Sequence, residues 1–149
     1  MKDKRDGLLN FLHARGSLGS GEDVAPTAQA AWRYTARDSV TLLDKIRTDD
    51  IARLEATFHR AAFKMSFSGG VPLLLSVSGF GAPWARVEFA ELESLIQKIC
   101  VYPEEPRFIL FSELKGRLLA VDTEEWDFLL IAARWSEDGL FVPITESDL

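Results

Sequence analysis

Residues Phe108–Ile144 read FILFSELKGRLLAVDTEEWDFLLIAARWSEDGLFVPI, a region in which three or four apolar runs alternate with polar breaks. Aromatic, β-branched and leucine residues crowd the runs, and the breaks are rich in acidic residues. Short apolar runs bounded by turn residues are typical of β-strands joined by tight connections. The region therefore predicts antiparallel strands, with hairpin turns at 113–116 and 136–139, each ending in glycine.

Residues 126–135 leave two structures open. An Asp-Gly turn follows this run and a β-rich segment returns after it, which favours a strand. Trp126, Leu129 and Ala133 also recur at helical spacing, which favours a helix. We predict the strand, paired with 140–144 in a hairpin.

The N-terminal half of the chain is dominated by apolar residues at helical spacing. Ile51, Leu54, Phe58 and Ala61 form the apolar stripe of one helix, which Thr48 is expected to cap. The same spacing predicts four further helices, at 3–14, 28–35, 40–47 and 90–100.

At Phe63 the spacing of apolar residues changes from about 3.6 to two. The new spacing predicts strands at 63–67, 71–78 and 84–89, ahead of the C-terminal strands. The predicted fold is therefore α+β: an antiparallel sheet of about six to seven strands, with N-terminal helices and one mid-chain helix packed on it. The tail at 145–149 is expected to fray.

Length and composition are those of one folded domain. The chain has 149 residues, of which 47% are hydrophobic and 27% charged, and this supports a buried core. Glycine, serine and proline are frequent at 16–27, which predicts a flexible linker after a helical arm at 1–15. No apolar run approaches the roughly 20 residues that span a bilayer, and the N-terminus lacks a signal-peptide pattern. We expect a single domain over 1–149, located in the cytoplasm and without a membrane partner.

The net charge of −6 is concentrated in the second half of the chain. Residues 1–62 sum to +1, whereas residues 63–149 sum to −7. A negative field repels the phosphate backbone of nucleic acids and attracts basic proteins. We therefore expect a basic protein partner and no nucleic-acid partner.

No pattern in the chain specifies a reaction. The two histidines, His13 and His59, lie on different predicted helices, and no serine has a Gly-x-Ser-x-Gly context. The single cysteine, Cys100, has no second cysteine to pair with, and with two histidines it cannot complete a zinc site. We predict no catalytic residues, no cofactor, no metal and no enzyme activity.

Acidic residues surround both tryptophans of the C-terminal region. Tryptophan is enriched at the centres of protein interfaces, and carboxylates beside it steer and pair with a basic partner. The predicted partner-binding surface, which we call the acidic rim, comprises Asp122, Glu124, Glu125, Trp126, Asp127, Trp135, Glu137 and Asp138. The alternative is that both tryptophans belong to the core and the acids form a solvated edge.

The segment Gly116–Trp135, GRLLAVDTEEWDFLLIAARW, resembles acidic, tryptophan-containing strand segments of the immunity proteins of bacterial toxin–immunity systems. These are small, often acidic α+β domains of the contact-dependent inhibition or polymorphic-toxin type. The resemblance implies a tight inhibitor that neutralises one cognate toxin, frequently a basic nuclease, and has no catalytic residues of its own.

A second hypothesis is a small-molecule-binding or hydrolytic α+β domain. It requires a pocket between the helices and the sheet, with polar groups near Ser76, Ser78 and Arg86. A filled core at this place would argue against it. A third hypothesis makes the N-terminal arm the docking element of an adaptor.

Overall fold

The computed structural model describes residues 26–37, 39–67, 70–77, 84–88 and 107–149. Within these ranges the helices are α1 (Pro26–Thr35), α2 (Ile51–Lys64) and a short 3-10 helix (Glu146–Asp148). The strands are β1 (Asp44–Arg47), β2 (Leu73–Val77), β3 (Trp84–Val87), β4 (Phe108–Ser112), β5 (Arg117–Glu124), β6 (Asp127–Trp135) and β7 (Phe141–Pro143).

The seven strands form one antiparallel sheet in the order β1-β6-β5-β4-β2-β3, and β7 also pairs with β6. β6 pairs with β5 along one side; on the other side its first residues pair with β1 and its last three with β7. The predicted α+β fold with an antiparallel sheet is confirmed. Residues 127–135 form a strand, which decides the open choice between strand and helix.

Both faces of the sheet are buried, which explains why its central strands are continuously apolar. All five residues of β4 are buried, although neighbouring side chains of a strand point to opposite faces. On one face Phe108 packs in a core with Phe58 of α2, and on the other Phe111 packs in a core with Tyr34 of α1. We call these the α2-side core and the α1-side core.

α2 has the apolar stripe that its sequence predicts. Leu54, Phe58 and Ala61 are buried in the α2-side core. The helix is capped by Asp50, whose carboxylate accepts a hydrogen bond from the backbone N–H of Arg53 at 3.2 Å. An aspartate at this position satisfies a backbone donor that has no partner within the helix. The helix is therefore capped by Asp50, two residues after the predicted Thr48.

The predicted strand at 63–67 is wrong, because α2 continues to Lys64. The backbone N–H of Met65 donates to the carbonyl of Ala61, and Ser66 then turns the chain with a φ of 61°. Met65 and Phe67 are buried, whereas Phe63 is 72% exposed. The alternation of apolar and polar residues here comes from a helix end followed by a left-handed turn.

The predicted helix at 40–47 is also wrong, because its last four residues form β1. Ile46 lies opposite Phe128 of β6, and the backbone N–H of Leu43 donates to the carbonyl of Leu130 at 2.7 Å. Four residues give little helical stability by themselves. Pairing with the free side of β6 satisfies their backbone groups and buries Ile46, so the tertiary contact outweighs the local helical spacing.

The C-terminal residues form a 3-10 helix, so the predicted fraying of 145–149 is wrong. The backbone N–H of Thr145 donates to the Asp148 carboxylate at 2.8 Å, and Glu146 forms an ion pair with Arg60 of α2. The predicted arm at 1–15 and helix at 90–100 lie outside the described residues. So does the predicted linker at 16–27, except for its last two residues, which belong to α1.

Candidate partner-binding surface

The structure divides the acidic rim between the two ends of β6. The residues at the β5–β6 turn, which we call the hairpin tip, are Asp122, Glu124, Glu125, Trp126 and Asp127. The residues at the β6–β7 turn, which we call the distal turn, are Trp135, Glu137 and Asp138. The nine residues of β6 separate the two groups by about 26 Å at the usual rise of a strand. They are therefore two surfaces rather than one compact site.

The hairpin tip carries an exposed tryptophan on an anchored backbone. Glu124 pairs with Asp127, which leaves Glu125 and Trp126 as a two-residue turn. Glu125 has a φ of 47°, and Trp126 is 70% exposed. The carbonyl of Trp126 accepts a hydrogen bond from the backbone N–H of Thr48 at 2.9 Å, which anchors the turn to the end of β1. The indole is thus presented to solvent on a turn that two strands hold in place.

The backbone of Glu125 is strained. In a two-residue hairpin, a positive φ at the first turn residue is a position that glycine usually takes, because a side chain there crowds the backbone. The left-handed conformation costs a residue with a side chain about 1–2 kcal/mol. Strained backbone occurs preferentially at binding and catalytic sites. A glutamate at this position therefore points to a role for the tip.

Two of the carboxylates at the hairpin tip are neutralised by neighbouring cations. Asp122 pairs with Arg107 at 2.7 Å, and Asp127 pairs with Lys45 of β1 at 3.7 Å. Glu124 and Glu125 are exposed, and neither forms an ion pair with any residue in the described part of the chain. The tip therefore presents two free carboxylates beside the indole of Trp126.

The distal turn has a different character, because its tryptophan packs against other residues. The ring centroid of Trp135 lies 4.9 Å from that of Phe141 in an edge-to-face arrangement, and Trp135 packs on the α1-side core. A side chain on Gly116 would lie 3.3 Å from the Cβ atom of Trp135. Glu137 and Asp138 are exposed in the turn that follows. Trp135 therefore contributes to packing, and the distal turn offers carboxylates without a free indole.

A cavity of about 410 Å³ lies beside the hairpin tip, between the end of α1 and the sheet. Charged and hydroxyl side chains line one part of it, including Arg37, Arg107, Asp122 and Glu124. The guanidinium of Arg37 also lies 5.5 Å from the ring centroid of Tyr34. The cavity has mixed charge, so it offers polar contacts to a small molecule without a strong preference for its sign.

The polar groups that the second hypothesis names do not converge. Ser76 is completely buried and does not line the cavity beside the hairpin tip. Arg86 lines a different cavity of about 360 Å³, with Glu113 and Leu114. Ser78 lies outside the described residues. The pocket beside the hairpin tip is formed instead by the end of α1, the segment that follows it, and β4, β5 and β6.

The described residues contain no group of three or more histidine, cysteine, aspartate and glutamate side chains that could hold a metal ion. The imidazole of His59 lies on α2, 4.0 Å from the carboxylate of Glu55. His13 and Cys100 lie outside the described residues. None of the helices in the described ranges is long and apolar enough to cross a membrane.

Asp49 and Thr48 are neighbours of the hairpin tip that the sequence reasoning missed. They follow β1, and the hydrogen bond from Thr48 to Trp126 brings them beside the turn. Asp49 pairs with Arg47 at 3.7 Å, so its charge is balanced in the same way as those of Asp122 and Asp127. The sequence predicts a helix at 40–47, and a helix there gives no reason to expect Thr48 and Asp49 beside the tip. The polar break Thr48–Asp50 after an apolar run was the available signal of a strand end.

Comparisons of this chain with models of protein families, with curated proteins and with solved structures found no match.

Proposed function

We propose that this chain is an immunity-type inhibitor that binds a basic cognate toxin in the cytoplasm and neutralises it without catalysing a reaction. The observation that supports this function is the exposure of Trp126 on an anchored hairpin turn, beside two exposed glutamates that have no ion-pair partner within the described residues. Leaving a large indole in water contributes nothing to folding. Covering it with a partner removes apolar surface from water and strengthens the complex.

The geometry of the hairpin tip suggests how the inhibitor would bind. Trp126 enters an apolar slot on the toxin, and Glu124 and Glu125 pair with lysine or arginine side chains at the rim of that slot. Asp122 and Asp127 already have partners, so their role is to hold the ends of β5 and β6 in place. Because the turn is anchored, less conformational entropy is lost on binding than with a flexible loop.

The tip alone is too small for a stable complex. A specific interface of ordinary size covers about 800 Å² on each partner, more than a two-residue turn can provide. The neighbouring surface around Thr48 and Asp49 adds area on the same side, and Arg47 balances the charge of Asp49. Glu124 and Glu125 give this surface a negative charge that fits a basic protein and speeds its association at low ionic strength.

The test compares the two ends of β6 in a capture experiment. The tagged wild type, a tip variant (Glu124→Gln, Glu125→Gln and Trp126→Ala together) and a matched distal variant (Glu137→Gln with Asp138→Asn) are incubated with lysate of the source cells. We expect the wild type and the distal variant to retain the same basic protein, which raised salt releases, and the tip variant to lose it.

A second step tests whether the captured protein is a toxin. Its expression alone in a host cell is expected to arrest growth, and co-expression of this chain to restore it. Retention of the protein by the tip variant would contradict the assignment of the surface. Normal growth on expression of the captured protein would contradict the inhibitor function itself.

The cavity beside the hairpin tip supports a second candidate function, the binding of a small molecule. Its volume of about 410 Å³ falls within the range of small-ligand sites, roughly 300–1,000 Å³. A ligand that occupies the cavity is expected to raise the melting temperature of the wild type in a thermal-shift screen, but not that of a variant whose cavity is filled by Val40→Phe. A screen without such a ligand would argue against this candidate.

A further inference from the structure

A third cavity, of about 370 Å³, lies near the end of β6 opposite the hairpin tip. The end of α2 forms one wall of this cavity and the 3-10 helix with the C-terminal residues forms another. Three cationic side chains line it, Lys64, Arg117 and Arg134, together with one carboxylate, Asp148. Such an excess of positive charge is unexpected in a protein with a net charge of −6.

The two arginines lie directly opposite each other on β5 and β6. Both point to the α2 face of the sheet, because Leu119 and Ala132, two positions away on the same strands, belong to the α2-side core. Like charges at directly opposed positions of an antiparallel pair destabilise the sheet. An anion bound between them would remove this repulsion.

Arg117 is held in place by the end of α2. Its Nη1 atom donates a hydrogen bond to the carbonyl of Met65 at 3.0 Å, which satisfies a backbone acceptor at the helix terminus. This bond uses one of the five N–H donors of the guanidinium. The remaining donors of Arg117 are therefore available in a fixed orientation beside the cavity.

The nearby carboxylates neutralise only part of this charge. One oxygen of Asp148 accepts hydrogen bonds from the backbone N–H and the hydroxyl of Thr145, at 2.8 and 3.0 Å. Glu146 pairs with Arg60 instead. Among the described residues, neither Lys64 nor Arg134 lies within ion-pair distance of a carboxylate, although the charge of Arg134 contributes, after the hydrogen bonds from Thr145, to lowering the pKa of Asp148. The cavity thus keeps a net positive charge.

We propose that this cavity binds a small molecule that carries one oxyanion group, a phosphate or a carboxylate, on a small apolar body. The planar guanidinium groups of two arginines suit an oxyanion, because each can donate two parallel hydrogen bonds to it. Val142, Pro143 and Leu149 line another part of the cavity and would contact the apolar body. The site lies away from the hairpin tip and does not rest on the proposed inhibitor function.

The test uses the full chain and three probes of similar size: phenyl phosphate, benzoate and, as a cationic control, benzylamine. Binding is followed by titration in two-dimensional NMR at constant ionic strength. We expect saturable binding of at least one anion, with shifts of the backbone amide signals of Lys64, Arg117 and Arg134, and no binding of benzylamine. The anion that binds more tightly identifies the preferred group.

Variants then test whether the arginine pair forms the site. Arg134→Gln is expected to weaken binding of the preferred anion at least tenfold, and Arg33→Gln, an exposed position on α1 at the other face of the sheet, to leave it unchanged. Arg134 is chosen because Arg117 also bonds to Met65, so its loss would affect folding. Absence of saturable anion binding, or equal affinity in Arg134→Gln, would overturn the proposal. Partner capture by Arg134→Gln reports separately on the inhibitor function.

Discussion

Trp126 and Trp135 stand at opposite ends of the same strand and have similar sequence surroundings, but the fold uses them differently. Each lies at a turn with acidic residues near it in sequence: four around Trp126 (Asp122, Glu124, Glu125 and Asp127) and two after Trp135 (Glu137 and Asp138). Trp126 is 70% exposed on a turn whose first residue has a positive φ. Trp135 packs on the α1-side core, edge-to-face with Phe141. One tryptophan is available to a partner and the other stabilises the sheet.

The difference comes from what the sheet places next to each residue. β7 and the β4–β5 turn both lie beside Trp135, which provides Phe141 and Gly116 as contacts. At the other end, the turn extends beyond the paired residues, and its contact with β1 is made by the backbone of Trp126, whose carbonyl accepts from Thr48. Acidic residues lie near both tryptophans, so their presence alone does not decide whether a tryptophan is buried.

The largest effect is expected for Trp126→Ala. Loss of the indole should weaken binding of the captured partner by about 3 kcal/mol, roughly 150-fold, which is typical of a central interface tryptophan. The free energy of unfolding should change by less than about 0.5 kcal/mol, because the side chain is exposed. Calorimetric titration and urea unfolding measure the two quantities. Unchanged affinity would remove Trp126 from the interface.

Trp135→Ala should show the opposite pattern. Loss of the contacts with Phe141 is expected to lower the free energy of unfolding by about 2 kcal/mol, less than for a fully buried tryptophan because this one is half-buried. The partner affinity of the folded fraction should stay within about twofold of wild type. Urea unfolding checks the first value. A stable Trp135→Ala variant with impaired binding would reverse the comparison between the two tryptophans.

Gly116→Ala tests how closely Trp135 is packed. Gly116 has a φ of 63°, and an added Cβ atom would lie 3.3 Å from the Cβ of Trp135. We expect a loss of about 1.5 kcal/mol in the free energy of unfolding, from backbone strain and from this contact. Gly70→Ala is the matched control, since Gly70 has a φ of 79° but no atom within 4 Å of the added Cβ. Equal losses in both variants would show that the contact with Trp135 adds nothing.

Glu125→Gly should have the smallest effect on the free energy of unfolding, and we expect this effect to be stabilising. Glycine accepts the φ of 47° without steric strain, so the free energy of unfolding should rise by about 0.5–1 kcal/mol. Glu125→Gln keeps the strain and removes the charge, and should leave stability unchanged. Both variants should bind the partner more weakly at low salt, because each lacks one carboxylate. A loss of stability in Glu125→Gly would show that the backbone of Glu125 is not strained in the native turn.

The C-terminal half of the fold could be predicted from the sequence, whereas part of the N-terminal half could not. The β4–β5 and β6–β7 hairpins follow from apolar runs bounded by glycine-containing turns, since backbone geometry limits the structures open to such runs. The apolar stripe of α2 was predictable for the same reason. β1 was not, because a four-residue strand is set by the free side of β6 and not by its own spacing of apolar residues.

The candidate site, like the fold, could be predicted from the sequence only in part. Local sequence identifies which residues can contact a basic partner, since charge and residue type are properties of each side chain. The fold decides where they lie: the length of β6 separates the two groups of acids, and Arg107 and Lys45 pair with Asp122 and Asp127 rather than with Glu124 or Glu125. Strand pairing joins residues that are distant in sequence, so the exposure of Trp126 and the burial of Trp135 become apparent only in three dimensions.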